Sequence, residues 1–473
     1  MKTPRSLARA WSRSHLVSVA LAPVVAALAF TFACGSSGDD DAGTGGSGAS
    51  PAAGQAGKGG AGPSTGGAAG SSGGSAGSTA TGGAPQGGSA GAGGSAGAVS
   101  TGGASGSGTS GGAGGASGSA GAGGTGGASG GAGSGGTVGE GGAAGEGSTE
   151  PGVHFVGRVD TTDPTAARFA WSGTGMVARF DGTSVSVDLE GGQEYTVVID
   201  GELQPKLTPM TGMNTLATGL VPGEHVVELY RRTEAAEGEA VFHGFDFGGG
   251  TLLAPPPAPT RRLEFVGDSI TCGYGIEGPD MNCGFTPQTE NHYLTYAALT
   301  ARALDAEVST VAWSGKGVVC NYGDDASSCM NPLPSYYERT LPNRADSAWD
   351  FSRFQPDAVV VNLGTNDFST DDDPTQAEFQ AAYLALLQTI RGKYPNARIV
   401  CTNGPMLSGT DLTTVRSYIQ SVVETLADPK VQSLEIPAQD GSDGYGCDWH
   451  PSQARHEKMA ELLTTALKSA LGW

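Results

Sequence analysis

The stretch EFVGDSITCGYG, residues 264–275, decides how the rest of the chain is read. An apolar run ends on Gly267-Asp268-Ser269, and small residues follow. That is the form of a buried strand turning sharply into a helix. Ser269 is then either a nucleophile raised at a strand end or a turn serine. The strand–serine–helix pattern of many hydrolases is G-x-S-x-G. Here Thr271 stands two residues after the serine, so a catalytic Ser269 needs a different scheme and partners on other loops.

Working outward, the chain from Arg261 alternates strands and helices. The pattern predicts strands over 263–266, 308–312, 358–363, 398–401 and 433–436. It predicts helices near 291–304, 375–393, 411–427 and 452–470, with Asp411 as the cap of the third. Phe379, Tyr383, Leu386, Leu387 and Ile390 make one apolar stripe of the second helix. Such alternation gives an α/β fold of three layers, a parallel sheet between two sets of helices. Functional loops gather at the carboxyl ends of the strands in such sheets.

Residues 151–253 read differently. Short alternating runs such as SVSVDLEG, EYTVVIDG and HVVELYRR are divided by Asp181-Gly182, Gly191-Gly192, Asp200-Gly201 and Pro222-Gly223. Regular short strands with glycine turns predict an all-β sandwich of jelly-roll type. His154, His225 and His243 stand alone and read as structural. APPPAP falls in 254–260, a stiff linker into the α/β domain over 261–473.

Much of the chain of 473 residues is not of globular composition. Most of its 81 glycines fall in 35–150, a Gly, Ser, Ala and Thr tract with almost no large apolar side chain. Such a tract cannot offset its chain entropy by burial and is expected to be a disordered tether. Residues 1–34 read as an export signal: Lys2, Arg5, Arg9 and Arg13 precede an apolar run that ends in TFAC. Small residues before Cys34 resemble a bacterial lipoprotein site, although Thr31 stands where Leu is usual. The expectation is an exported protein, secreted or held at the cell surface or outer membrane by lipid on Cys34. A plain secretory signal is the alternative. The net charge of −21 argues against nucleic acid and anionic membrane surfaces as partners.

Apart from Cys34, six cysteines remain: Cys272, Cys283, Cys320, Cys329, Cys401 and Cys447. An even number in an exported protein suggests disulfides. Local spacing pairs Cys272 with Cys283 and Cys320 with Cys329, leaving Cys401 with Cys447. No C-x-x-C pair is present. The acidic runs around Asp324 and Asp372 lack the spacing of a calcium loop, so no metal and no cofactor is expected.

The predicted strand ends carry a common chemistry. The first runs into Ser269, the second into WSGKG with Gly315, the third into GTND with Asn366, and GCDWHP with His450 follows the fifth. A hydroxyl, backbone N–H groups, an amide and an imidazole are the parts of an acyl-transfer site. Each alone is weak, since a serine after a strand is usually a cap or turn residue. Their order along the chain makes the case.

GDSIT, the glycine at 315, GTND and HP resemble the four blocks of the SGNH (GDSL-type) hydrolase superfamily. The resemblance covers residues 261–473 and implies a flavodoxin-like sheet. It implies Ser269 as nucleophile and His450 as general base. It implies an oxyanion hole from the N–H groups of Ser269 and Gly315 and the amide of Asn366. GDSITCGYG, TENHYLTYAALTARAL, AWSGKGV and GCDWHP resemble carbohydrate esterase family 2 more narrowly. Members join a jelly roll to an SGNH domain and remove acetyl groups from polysaccharides such as xylan or glucomannan. The superfamily usually has Asp three residues before the histidine, and Cys447 stands there. The resemblance therefore allows a Ser–His dyad with the ring held by a main-chain carbonyl, or a triad that uses Asp448. Trp449, Trp313 and Tyr274 flank the loops as candidate sugar platforms. The expected partner is an acetylated polysaccharide, and a monomer is expected. A lipase or thioesterase for longer acyl chains and a non-catalytic carbohydrate-binding surface lipoprotein are the alternatives.

Overall fold

A computed structural model describes residues 149–325, 328–370 and 372–473. The expected export signal, Cys34 and nearly all of the glycine-rich tract lie outside the described residues.

The β domain consists of β1 (Val153–Val156), β2 (Ala167–Phe169), β3 (Gly175–Gly191), β4 (Tyr195–Ile199), β5 (Glu202–Leu203), β6 (Gly212–Arg231), β7 (Ala240–Asp246) and β8 (Thr251–Leu252). All pair antiparallel, in the order β2-β7-β3-β6-β4-β5, with β1 and β8 also on β3. Two expected turns are absent. Asp181-Gly182 and Pro222-Gly223 lie inside β3 and β6, which pair with each other on both sides of these points. A register shift between Gly182 and Ser184 takes the place of a reversal. It also flips the side-chain parity. Met176, Ala178 and Phe180 enter the core before the shift, and Val185, Val187 and Leu189 after it. Without the extra residue, the second half of β3 would turn its apolar set to solvent.

The α/β domain holds β9 (Arg261–Gly267), β10 (Ala306–Ala312), β11 (Ala358–Asn362), β12 (Arg398–Thr402) and β13 (Val431–Leu434). All are parallel, in the order β10-β9-β11-β12-β13. This is the 2-1-3-4-5 order of flavodoxin-like sheets, with its switch point at the first strand. Helices α1 (Ser269–Cys272), α2 (Tyr296–Ala303), α3 (Gln376–Lys393), α4 (Gly409–Leu426) and α5 (Gln453–Leu471) complete it. Val359, Val361, Ile399 and Cys401 face the core shared with α3 and α4. Ala358, Val360 and Val400 face the core shared with α2 and α5. The alternation of strand side chains thus fills both cores. Thr375 and Glu378 form a capping box at the start of α3. Asp411 is not a cap: α4 begins earlier, with Ser408 at the cap position, and Asp411 lies in its first turn.

The β domain is joined to the sheet through buried charge. Arg158 places Nη2 3.1 Å from Glu264 Oε2, and both side chains are fully enclosed. Tyr337 and Tyr394 donate to the same carboxylate at 2.7 and 3.0 Å. Glu264, five residues before Ser269, is therefore an anchor. Removing either charge alone leaves its partner unpaired, which costs about 3–5 kcal/mol.

Candidate active site

Ser269 begins α1 directly after β9, at the switch point of the sheet. Asp268 takes the extended cap position and accepts the N–H of Ile270 at 3.0 Å. Gly273 closes the single turn with φ +88°, where its N–H donates to the Ser269 carbonyl at 3.0 Å. Short polar and glycine residues thus hold the serine from within its own segment.

His450 Nε2 lies 2.8 Å from Ser269 Oγ. Its Nδ1 lies 3.2 Å from the carbonyl of Cys447 and 3.1 Å from that of Asp448. Carbonyls only accept, so Nδ1 carries the proton and Nε2 turns a lone pair to the serine. Burial pushes the imidazole down to about 4, against the two carbonyls and the Asp448 charge, which favour the cation. The ring is therefore neutral near pH 7.

A strained turn brings two successive carbonyls to one nitrogen. Asp448 and Trp449 have φ of 50° and 58°, costly for residues with a side chain. The turn is held by a disulfide from Cys447 to Cys283, by Asp448 N–H on the Cys283 carbonyl and by Cys447 N–H on the Gly275 carbonyl, each 3.0 Å. The Asp448 carboxylate does not bond the imidazole. Tyr274 donates to its Oδ2 at 2.6 Å, and the Tyr274 ring stacks on His450 at 4.1 Å. Asp448 orients the ring through its main chain.

Gly315 follows β10 with φ +75°, and Asn366 follows β11. Among the described residues, neither the N–H of Ser269 nor that of Gly315 donates to a protein acceptor. One hydrogen of the Asn366 amide goes to the Lys316 carbonyl at 2.9 Å, leaving the other. The adjacent Asp367 accepts the N–H groups of Val318, Val319 and Cys320 at 2.8, 2.7 and 3.1 Å. The loop after β11 thus grips the loop after β10.

Residues 155–257 match the carbohydrate esterase 2 N-terminal family, and residues 265–458 match the GDSL-like lipase/acylhydrolase family. Over 331 residues the chain is 46% identical to the cellulase/esterase CelE of Acetivibrio thermocellus, covering 68% of this chain and 40% of that protein. An acetylxylan esterase / glucomannan deacetylase of Cellvibrio japonicus is 29% identical, over 69% of this chain and 91% of that protein. A solved family two carbohydrate esterase from Clostridium thermocellum, in complex with cellohexaose, is 45% identical with TM-score 0.65, covering 68% of this chain and 100% of that one. The chain belongs to carbohydrate esterase family 2.

In this esterase the pairing expected from local spacing holds for Cys320–Cys329 and is corrected for the other four cysteines. The disulfides are Cys283–Cys447 and Cys320–Cys329, while Cys272 and Cys401 are free and buried. Cys272 lies on the inner side of α1, with Sγ 3.6 Å from Glu234 Oε2. Cys401 lies in β12 and belongs to the core. Neither can reach a partner on an exposed loop. Of the expected sugar platforms, Trp313 packs half-buried on Tyr336 at 4.9 Å and Tyr274 covers His450. Trp449 is 56% exposed beside His450. The role of Asp367 has no signal in the sequence, because its partners are backbone groups nearly fifty residues away.

Proposed function

We propose that this carbohydrate esterase removes O-acetyl groups from xylan- or glucomannan-type polysaccharides through an acetyl-enzyme at Ser269. The observation that carries the mechanism is the 2.8 Å contact of Ser269 Oγ with an imidazole nitrogen whose partner nitrogen donates to carbonyls. Ser269 Oγ attacks the acetyl carbon while Nε2 takes its proton. The oxyanion is met by the N–H groups of Ser269 and Gly315 and the free hydrogen of the Asn366 amide. The C–O bond to the sugar then breaks, and the sugar oxygen takes the proton from Nε2. Water repeats the sequence on the acetyl-serine and releases acetate. The imidazolium formed in passing is stabilised by the Cys447 and Asp448 carbonyls, so the catalytic unit is a Ser–His dyad.

Acetylated xylan and glucomannan are taken from the activity named for the Cellvibrio relative. From the cellohexaose complex of the Clostridium relative we infer that a cello-oligosaccharide also binds, with Trp449 as the stacking face. Export with lipid on Cys34 would put the enzyme at the cell surface. The direct experiment is acetate release from acetylated polysaccharides by wild type and Ser269→Ala. The variant should lose at least about 10⁴-fold in rate. Wild-type release by Ser269→Ala would refute the reading.

A further inference from the structure

We propose that Glu234 of the β domain is a positioning residue for the esterase reaction, bracketing the nucleophile turn and the loop of Gly315. The proposal rests on the serine mechanism above. Two N–H groups that meet the oxyanion come from separate loops, after β9 and after β10. They converge only if something fixes one loop against the other.

Glu234 touches both. Its Oε2 accepts the N–H of Ser314, the residue before Gly315, at 2.6 Å. The same oxygen faces Cys272 Sγ at 3.6 Å, on the turn that begins with Ser269. The side chain is buried and reaches the site from a different domain. Its own backbone is held on every side. The Glu234 N–H donates to Glu290 Oε2 at 3.2 Å, and Arg231 Nη2 donates to its carbonyl at 2.7 Å. Two residues earlier, Arg232 donates from Nε to the Glu290 carbonyl at 3.2 Å and from Nη2 to Glu277. The His292 N–H closes the seam on the Arg232 carbonyl at 3.1 Å.

The polar atoms of Glu234, Cys272 and Glu290 lie within 4.8 Å of one another. The N–H donors on both carboxylates and the thiol on Glu234 make this a hydrogen-bonded cluster. Burial raises both carboxyls above the usual range. A neutral acceptor of the same shape should therefore serve as well as the acid. Loss of the acceptor frees the Ser314 peptide and misplaces the Gly315 N–H. A misplacement near 1 Å can cost about 10²-fold in rate.

The test compares Glu234→Ala, Glu234→Asp and Glu234→Gln in the full chain on an aryl acetate. Rates are expressed per serine titrated with a phosphonate, so that misfolded enzyme does not count. The Ala and Asp variants should lose about 10- to 100-fold in kcat, with KM within about twofold. Glu234→Gln should retain at least about a third of the wild-type kcat. Asp keeps the acid but withdraws it from Ser314, so it serves if Ala does not fold. Wild-type kcat per titrated serine in the Asp variant overturns the proposal, as does a Gln variant no better than Asp. Loss of activity in Ser269→Ala alongside either result leaves the serine mechanism standing.

Discussion

The loops of Ser269 and Gly315 leave adjacent strands of one sheet, yet they are held in opposite ways. The first is held chiefly by its neighbours in sequence: Asp268 caps it and Gly273 ends it, and Glu234 adds one contact from outside, at Cys272. The second is held from outside. Glu234 takes the N–H of Ser314, Asn366 takes the Lys316 carbonyl, and Asp367 takes three N–H groups beyond it. The loop of His450 is of the second kind, tied by Cys283 to the segment behind the serine. The turn of Ser269 is thus built largely by local residues, whereas the loops of Gly315 and His450 are fixed in place by distant ones.

This contrast can be broken or sharpened by substitution. The largest effect, after loss of the serine itself, is expected where a distant residue both grips the Gly315 loop and reaches the oxyanion. Asn366→Ala should lower kcat by about 10²–10³, because a donor and the hold on Lys316 vanish together. A loss below about tenfold would show that the amide only holds the loop. The effect of Glu234→Ala should come next, since it displaces a donor without removing one.

The histidine gives a third test, in pH rather than in rate. The base must be neutral, so activity is present above its pKa and lost as pH falls through it. With burial lowering that value to about 4, kcat/KM should stay level from neutral pH until its acid limb near pH 4. Initial rates, read only where the circular dichroism spectrum is unchanged, check this. A limb at the ordinary histidine value of about 6.5 would mean that the ring is solvated in the working enzyme.

The same division explains what was legible in the sequence. Each strand of the parallel sheet is a short apolar run closed by small polar residues. The fold and the placement of Ser269, Gly315, Asn366 and His450 at loop ends follow from local pattern. Gly182 and Gly223 misled because a bulge and a turn share glycine, and only pairing distinguishes them. Asp411 misled because Ser408, three residues earlier, already stands at the cap position. Cys272 is near Cys283 in sequence but faces inward, whereas Cys447 is 164 residues away and adjacent in space. Glu234 sits in RRTEAAEGE, a run of charged and small residues with no apolar pattern. Nothing local marks it as buried against a catalytic loop in another domain.

The central claim is that main-chain carbonyls, not a carboxylate, orient His450. Asp448→Asn tests it most directly, because it removes the charge while keeping the carbonyl and an acceptor for Tyr274. Under saturating acetylated substrate at neutral pH, kcat should fall by less than about tenfold. A fall near 10⁴-fold, about the loss when a triad is deprived of its acid, would contradict the account.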